Sequence, residues 1–371
     1  MTDCIVIGGG LMGMLTARCL HQAGVRVLLL ERSRLGGEAS WAGGGILSPL
    51  YPWRCPAAVN RMAAVSQRVY AQLAEGLQDE TGIDPEWIQS GMLVLDAGEQ
   101  EAAGRWSDAQ GVPVEPLGRE KLHDCEPALS PVFEHALWLP TIAQIRSPRL
   151  VKALRASLDR RAIDYREHTE VLRLRVHGGA VTGVETSRGA INARRVLIAA
   201  GAWSARLTPP SCAPVAIQPV RGQIIVFKAA PGLLRRIILC RGDYLIPRRD
   251  GRVLVGSTLE IAGFDKSTTA DAREQLEAHA IALVRALRGY PIENHWSGLR
   301  PGAPAGIPYV GEHPDVSGLF FNAGHFRCGL VLSPASAQLA ADLMLGRPPA
   351  LAPEAYAIDA IRIDEQPLTQ L

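Results

Sequence analysis

The chain has 371 residues, 47% of them hydrophobic and 20% charged, with a formal net charge of +2. That balance excludes a disordered chain, and the length allows two domains that each bury a core. So small a charge, carried by scattered arginines, argues against nucleic acid or an anionic membrane surface as partner.

The seven cysteines, at 4, 19, 55, 125, 212, 240 and 328, show neither Cys-x-x-Cys pairs nor His/Cys spacing suited to a metal. A disulfide framework and a structural zinc are therefore not expected, and most cysteines should be buried small apolar residues. The apolar start is too short for a signal-peptide core. No stretch approaches the roughly 18 apolar residues that cross a bilayer. A cytoplasmic protein is the expectation.

Cys4–Ile7 reads as a strand that runs into Gly8-Gly9-Gly10-Leu11-Met12-Gly13, then a helix, then a second apolar run, Val25 to Leu30, ending at Glu31. In this strand–turn–helix–strand pattern Gly8 permits the tight turn and Gly10 lets backbone approach a pyrophosphate. Gly13 lets the helix pack closely on the strand. The helix start offers free amides and a positive dipole end to a diphosphate, and Glu31 can accept from an adenosine ribose. The glycine-rich stretch from Gly36 to Gly45 fits neither helix nor strand. It is either a flexible surface loop or, as Trp41 and Ile46 favour, backbone lying against a flat ligand.

An amphipathic helix is expected over 59–80, a strand over Gly91–Leu95 and helical segments near 99–110 and 118–124. An extended run follows at Ala136–Leu139, then a helix at Leu150–Arg161. Tyr165–His168, Val171–His177 and Ala180–Thr186 suggest a strand and a hairpin. Val196–Ala200 reads as a central parallel strand that breaks on Gly201. From Val215 the pattern is antiparallel, with an Asp-Gly hairpin joining Tyr244–Arg248 to Val253–Gly256. A helix over Asp271–Leu287 and a strand from Gly318 to Gly324 follow. Ser333-Pro334 should cap a final helix that ends at Leu345 before Gly346.

Parallel strands ending on Gly8, Gly201 and Gly324 would converge on one ligand edge. The fold class expected is α/β. A Rossmann-like domain built from residues 1–50, 145–212 and 300–371 interleaves with an α+β domain, mostly antiparallel, built from 51–144 and 213–299.

These motifs resemble the D-amino-acid oxidase superfamily of FAD enzymes, and within it the glycine oxidases of thiamine biosynthesis. The narrowest marks are Gly298-Leu299-Arg300-Pro301, Pro308-Tyr309-Val310-Gly311 and Gly324-His325-Phe326-Arg327-Cys328-Gly329. The resemblance implies non-covalent FAD, because no cysteine stands at 298–301. It implies FAD contacts at Leu11, Met12, Glu31, Arg32, Ala39, Ser40, Gly44, Gly45, Ile46 and Val171, and along His325, Phe326, Arg327, Cys328, Gly329, Leu330 and Val331, with Gly201 at the strand end. It also implies that Arg300 holds a substrate carboxylate, with Tyr244 and Arg327 completing the pocket.

A planar guanidinium can hold a carboxylate through two parallel hydrogen bonds, which agrees with that role. The residues themselves leave other readings open: Arg300 as a surface arginine, Tyr244 as a core residue, Arg327 as partner to a carboxylate within the fold. Tyr244 and Ile246, two apart on a strand, would face the pocket with Leu245 behind. Oxidation of glycine, sarcosine or D-alanine with dioxygen as acceptor needs no protein acid or base, and His325 would shape the cofactor loop. Backbone amides of the Gly324–Leu332 segment and a helix start near Ser333 would stabilise negative charge on the cofactor. The alternative activity is a dehydrogenase of the same superfamily that passes electrons to a quinone or carrier. A homo-oligomer is left open.

Overall fold

In a computed structural model the described residues are 2–210 and 212–362. The first sheet has six strands in the order Tyr309–Glu312, Leu319–Ala323, Arg195–Ile198, Cys4–Ile7, Val27–Leu30, Asp164–Arg166. All its pairs are parallel except the first, which is antiparallel. Cys4–Ile7 and Val27–Leu30 are buried at every position, as continuous apolar strands covered on both faces must be. Three parallel strands therefore end side by side at Gly8, at the segment around Gly201, and at Gly324.

The second sheet has eight strands and is antiparallel except where Ile237–Cys240 meets Met92–Val94. Its longest pair, Gln218–Lys228 against Ile292–Gly302, places Val220 opposite Arg300 and Gly222 opposite Gly298. The expected boundary at 299/300 falls inside the strand Ile292–Gly302, and Val171–Asn192 forms a separate three-stranded antiparallel sheet. Met1, Ser211 and residues 363–371, which that domain division includes, lie outside the described residues.

The helix expected over 59–80 spans Ala57–Thr81 and ends on Gly82 at φ 73°, a left-handed closure that glycine adopts without strain. The helix expected over Asp271–Leu287 is instead Ala270–Leu283, followed by a short turn, Arg285–Gly289. The last helix departs further from expectation. It begins at Gly329, so Ser333-Pro334 lies inside it rather than capping it.

Proline has no N–H to give the carbonyl four residues back. Here that carbonyl, Leu330 O, accepts instead from the hydroxyls of Tyr70 and Ser333. Tyr70 is fully buried and its oxygen also contacts Ser333 Oγ at 2.9 Å. One turn on, the Ala335 amide donates to Ser66 Oγ at 3.1 Å.

The same region corrects a second expectation. Phe326–Leu345 is long and apolar enough to cross a bilayer by length and composition. Most of it is buried inside the fold, in one core with the helices Leu11–Gln22 and Ala57–Thr81. Its apolarity on all sides answers to packing on all sides.

Nor are most cysteines buried. Cys4 and Cys240 are, whereas the other five are half-buried.

Tyr70→Phe should lower stability by about 1–2 kcal/mol, because a buried carbonyl loses a donor. Denaturant titration checks this, and an unchanged midpoint would show that Tyr70 contributes shape alone.

Candidate active site

A cleft of about 470 Å³ lies along the ends of the three parallel strands and reaches the face of the antiparallel sheet. At its dinucleotide end, Gly8 sits at φ 106°, and a Cβ there would lie 2.4 Å from the Ala199 carbonyl oxygen. A Cβ on Gly13 would lie 1.9 Å from Gly8 O, so the helix Leu11–Gln22 rests directly on the turn. That helix has no acidic residue in its first turn, which leaves its positive end suited to a phosphate. Ser40 Oγ accepts from the Leu11 amide at 2.9 Å. Glu31 is buried, one oxygen accepting from the Gly9 amide at 2.7 Å and the other from the Ser33 amide at 2.9 Å. Arg32 stacks over Trp203 at 3.7 Å, and Val171 closes this end.

The glycine-rich stretch resolves into a short helix, Ala39–Ala42, followed by extended backbone at Gly43 and a positive φ of 98° at Gly45. A Cβ on Gly45 would meet Ile145 O at 2.0 Å, and one on Gly44 would meet the Tyr244 hydroxyl at 2.9 Å. This is backbone fitted against other backbone and a ring, not a loose loop. Arg248, unforeseen in the sequence, fixes it. Fully enclosed, it donates to Gly44 O, to Gln144 Oε1 at 2.8 Å and to Ile145 O at 3.2 Å. Burial pulls its pKa down to about 10, which still leaves it cationic at neutral pH.

Arg300 and Tyr244 line the cleft between that stretch and the antiparallel sheet. Arg300 donates to Ser257 Oγ at 2.6 Å, Thr258 O at 3.1 Å and Arg221 O at 3.4 Å. None of these partners is a carboxylate. Its neighbour Arg221, by contrast, is ion-paired with Glu260 and with Asp265. Burial lowers the Arg300 pKa to about 10, with the Tyr244 hydroxyl beside it opposing the shift. The guanidinium occupies space that a side chain at 222 would take, since a Cβ on Gly222 would lie 2.2 Å from both terminal nitrogens. Gly256 does the same for Tyr244, whose hydroxyl would be 2.9 Å from a Cβ there. Glycine frequency alone could not single out 222 and 256; the strand register does.

Ile246 does not line the cleft as expected. It packs behind Gly44, in one core with Tyr244, while Leu245 faces the other core. Gly302 bridges to His325, which brings the Gly324–Gly329 segment beside Arg300. Arg327 faces the cleft and donates to Gly242 O at 3.2 Å. The adjoining Asp243 carboxyl is pushed up to about 6 by burial, opposed by Arg327 and by the Ser257 amide.

His325 also faces the cleft, but its ring points into a buried polar chain. Ser336 spends its one hydroxyl proton on Asn322 Oδ1 at 2.6 Å, so it accepts from His325 Nε2 at 2.7 Å. Asn322 Nδ2 continues to Thr16 Oγ1 at 3.2 Å, and Thr16 donates to Met12 O at 2.7 Å. Burial pushes the imidazole down to about 3. A neutral ring held in one tautomer is a structural link, not a base.

The cleft wall thus includes Gly8, Gly10, Leu11, Met12, Glu31, Arg32, Ala39, Ser40, Gly44, Gly45, Ile46, Val171, Gly201, Tyr244, Arg300, His325, Phe326, Arg327, Gly329 and Leu330. Gly13 lies behind it as a packing residue, Val331 is buried in the core, and Cys328 turns toward Cys55. The helix that begins at Gly329 presents its amides four residues earlier than a start at Ser333 would.

Comparisons with known proteins agree with this geometry. The family model described as FAD dependent oxidoreductase matches residues 3–343. A glycine oxidase of Pseudomonas aeruginosa is 48% identical over 354 residues, which is 95% of this chain and 97% of that protein. The crystal structure of glycine oxidase from Geobacillus kaustophilus superposes with a TM-score of 0.91 at 29% identity, covering 96% of this chain and 98% of that one. A bifunctional ThiO/ThiG protein of Nostoc sp. is 30% identical over 349 residues, and the match covers 92% of this chain and 52% of that protein. The glycine cradle, the buried Glu31 and the open helix end fit an FAD, and the chain belongs to the FAD-dependent oxidoreductase family of D-amino-acid oxidases.

Proposed function

We propose that the protein oxidises glycine, and small amines or D-amino acids such as sarcosine and D-alanine, to the imine. The imine then hydrolyses to glyoxylate and ammonia, or serves assembly of the thiamine thiazole. The observation that carries this reading is Arg300, a half-buried cation with no carboxylate bonded to it, facing a cleft beside a tyrosine. The names of the related proteins, glycine oxidase and ThiO/ThiG, support the substrate and the pathway.

The chemistry that bound FAD supplies is two-electron oxidation of the substrate Cα–N bond, with dioxygen reduced to hydrogen peroxide. The Leu11 helix end and Gly10 would hold the diphosphate, Glu31 the ribose, Val171 the adenine end, and Gly44–Ile46 with His325–Leu330 the ring system. Residues 1–50, 145–212 and 300–371 would form the cofactor domain, and 51–144 with 213–299 the substrate domain. No cysteine stands at Gly298–Pro301, so the cofactor is held without a covalent bond.

Arg300 binds the substrate carboxylate, and its bonds to Ser257, Thr258 and Arg221 fix the plane of the guanidinium before substrate arrives. Tyr244, wedged by Gly44 and Gly256, limits the space left for a side chain on the substrate. Arg327 adds positive charge. No acid or base is assigned: His325 is neutral and engaged with Ser336.

Adding glycine, sarcosine or D-alanine to the yellow protein without air should bleach its absorbance, and admitting oxygen should restore it with peroxide released. Bleaching that oxygen leaves unreversed but a dye acceptor restores would assign a dehydrogenase. Arg300→Ala should cut kcat/KM roughly a hundredfold or more, about 3 kcal/mol, with FAD still bound. Unchanged kinetics would remove the assignment.

Gly222→Ala should keep the fold, because the atoms it strikes end a flexible side chain, yet raise the glycine KM roughly tenfold. Steady-state kinetics with a circular-dichroism control reads both.

His325 should show no NMR titration between pH 5 and 8. Below about pH 6.5 the unfolded chain binds a proton that the folded imidazole refuses until about pH 3. That residue therefore removes up to ~1.4 kcal/mol of stability per pH unit across that window. A ring that titrates near 6.5 would contradict its burial in the polar chain.

A further inference from the structure

The segment 260–267 joins the strand Arg252–Gly256 of the antiparallel sheet to the helix Ala270–Leu283. Its base is fixed by Arg221 at two points. Glu260 and Arg221 exchange backbone hydrogen bonds at 2.9 and 3.0 Å, and the Arg221 guanidinium pairs with Glu260 and, at 2.6 Å, with Asp265. Between those anchors the chain turns back on itself. The Asp265 amide donates to Ala262 O at 3.2 Å, with Gly263 in the left-handed region at φ 59°.

Beyond this base the segment crosses to the cofactor end of the cleft. Half-buried Phe264 lies 5.3 Å from Trp203, and the Arg206 guanidinium sits 3.7 Å over the Phe264 ring. Trp203 and Arg206 belong to the short turn Gly201–Leu207 and line the cleft. Lys266 Nζ reaches the Glu38 carboxylate at 3.1 and 3.2 Å, and the same carboxylate accepts from Arg32 at 3.0 Å. Arg32 lines the cleft and is held by Trp203 and by Glu38. Each of these two holders is itself gripped by the crossing segment, Trp203 by Phe264 and Glu38 by Lys266. The grip is light: one tilted aromatic pair, one stacked guanidinium, and an ion pair with Lys266 about half exposed. Contacts of that strength open well before the fold does.

We propose that residues 260–267 are a clasp that retains the cofactor. Phe264 and Lys266 hold Trp203, Arg206 and Arg32 against the adenosine end of the cleft, and FAD leaves when they let go. Both are positioning residues, since they act through the wall. The inference rests on the reading that places the adenosine half of FAD beside Glu31, Arg32 and Val171.

Holoenzyme freed of excess flavin is chased with radiolabelled FAD, and exchange gives the release rate. Phe264→Ala should speed release about tenfold, the combined worth of the ring pair and the stacked guanidinium. Lys266→Gln should speed it about threefold, and Lys266→Arg should restore the slow rate. At about 1 M salt, where screening acts within about 3 Å, the difference between Lys266→Gln and the unaltered protein should vanish. A position that merely supports the fold would show neither the rescue nor the salt dependence. Lys266 is exposed, so its variants keep the test open if Phe264→Ala folds poorly. Release unchanged in Lys266→Gln, or a Lys266→Arg variant as fast as Lys266→Gln, would overturn the proposal.

The same exchange with FAD carrying an azide on its adenine, followed by photolysis and peptide mapping, tests the reading beneath it. Label on the peptides holding Arg32, Val171 or Trp203 supports that placement of the adenosine half. Label elsewhere, with release still accelerated in the variants, upholds the clasp and counts against the placement. Label in place with release unchanged upholds the placement and overturns the clasp.

Discussion

A half-buried cation with no carboxylate bonded to it organises this molecule. Moving a guanidinium out of water is costly unless its protons find acceptors, and here they find neutral oxygens: a serine hydroxyl and two backbone carbonyls. Neutral acceptors satisfy hydrogen bonding without cancelling the charge, so Arg300 keeps its attraction for an incoming carboxylate. Arg221, one position before the glycine that makes room for Arg300, is instead saturated by Glu260 and Asp265. Adjacent positions on one strand, Arg221 and Gly222, thus carry a structural arginine and make room for a second, on the neighbouring strand, left open to the cleft.

Absent side chains build much of the cleft. Gly222 and Gly256 hollow the sheet where Arg300 and Tyr244 lie, Gly44 lets the phenol approach backbone, and Gly45 lets that backbone touch Ile145. Arg248 then pins the glycine stretch to the sheet from behind. Flexible residues become rigid here because each is enclosed by a neighbour that would collide with a methyl group. The same stretch is tied to the strand Ile292–Gly302 by the Trp296 indole, which donates to Ala42 O at 3.1 Å.

How far the sequence revealed this depends on whether a residue acts locally or through register. The first strand–turn–helix was legible because Gly8, Gly10, Gly13 and Glu31 act within one contiguous unit. Arg300, Tyr244 and Arg327 were marked by the motifs around them. Gly222, Gly256 and Arg248 were not, since their meaning arises only when the strands Gln218–Lys228, Asp243–Pro247 and Arg252–Gly256 align. The start of the last helix was misread because proline ordinarily marks a first turn. A tertiary donor, Tyr70, removes the penalty that makes this rule hold. The buried chain from Met12 through Asn322 to His325 was equally invisible, since its members lie on three separate elements.

The hook between Tyr70 and the carbonyl beneath Pro334 has an evolutionary corollary. Each residue added to an α-helix rotates everything beyond it by about 100°. One residue inserted between Gly329 and Pro334 would turn the orphaned carbonyl away from its tyrosine and swing the rest of the helix off its neighbours. Length changes in descendants of this gene should therefore collect beyond Gly346 or in the surface turns, while the first two turns of that helix keep a fixed count.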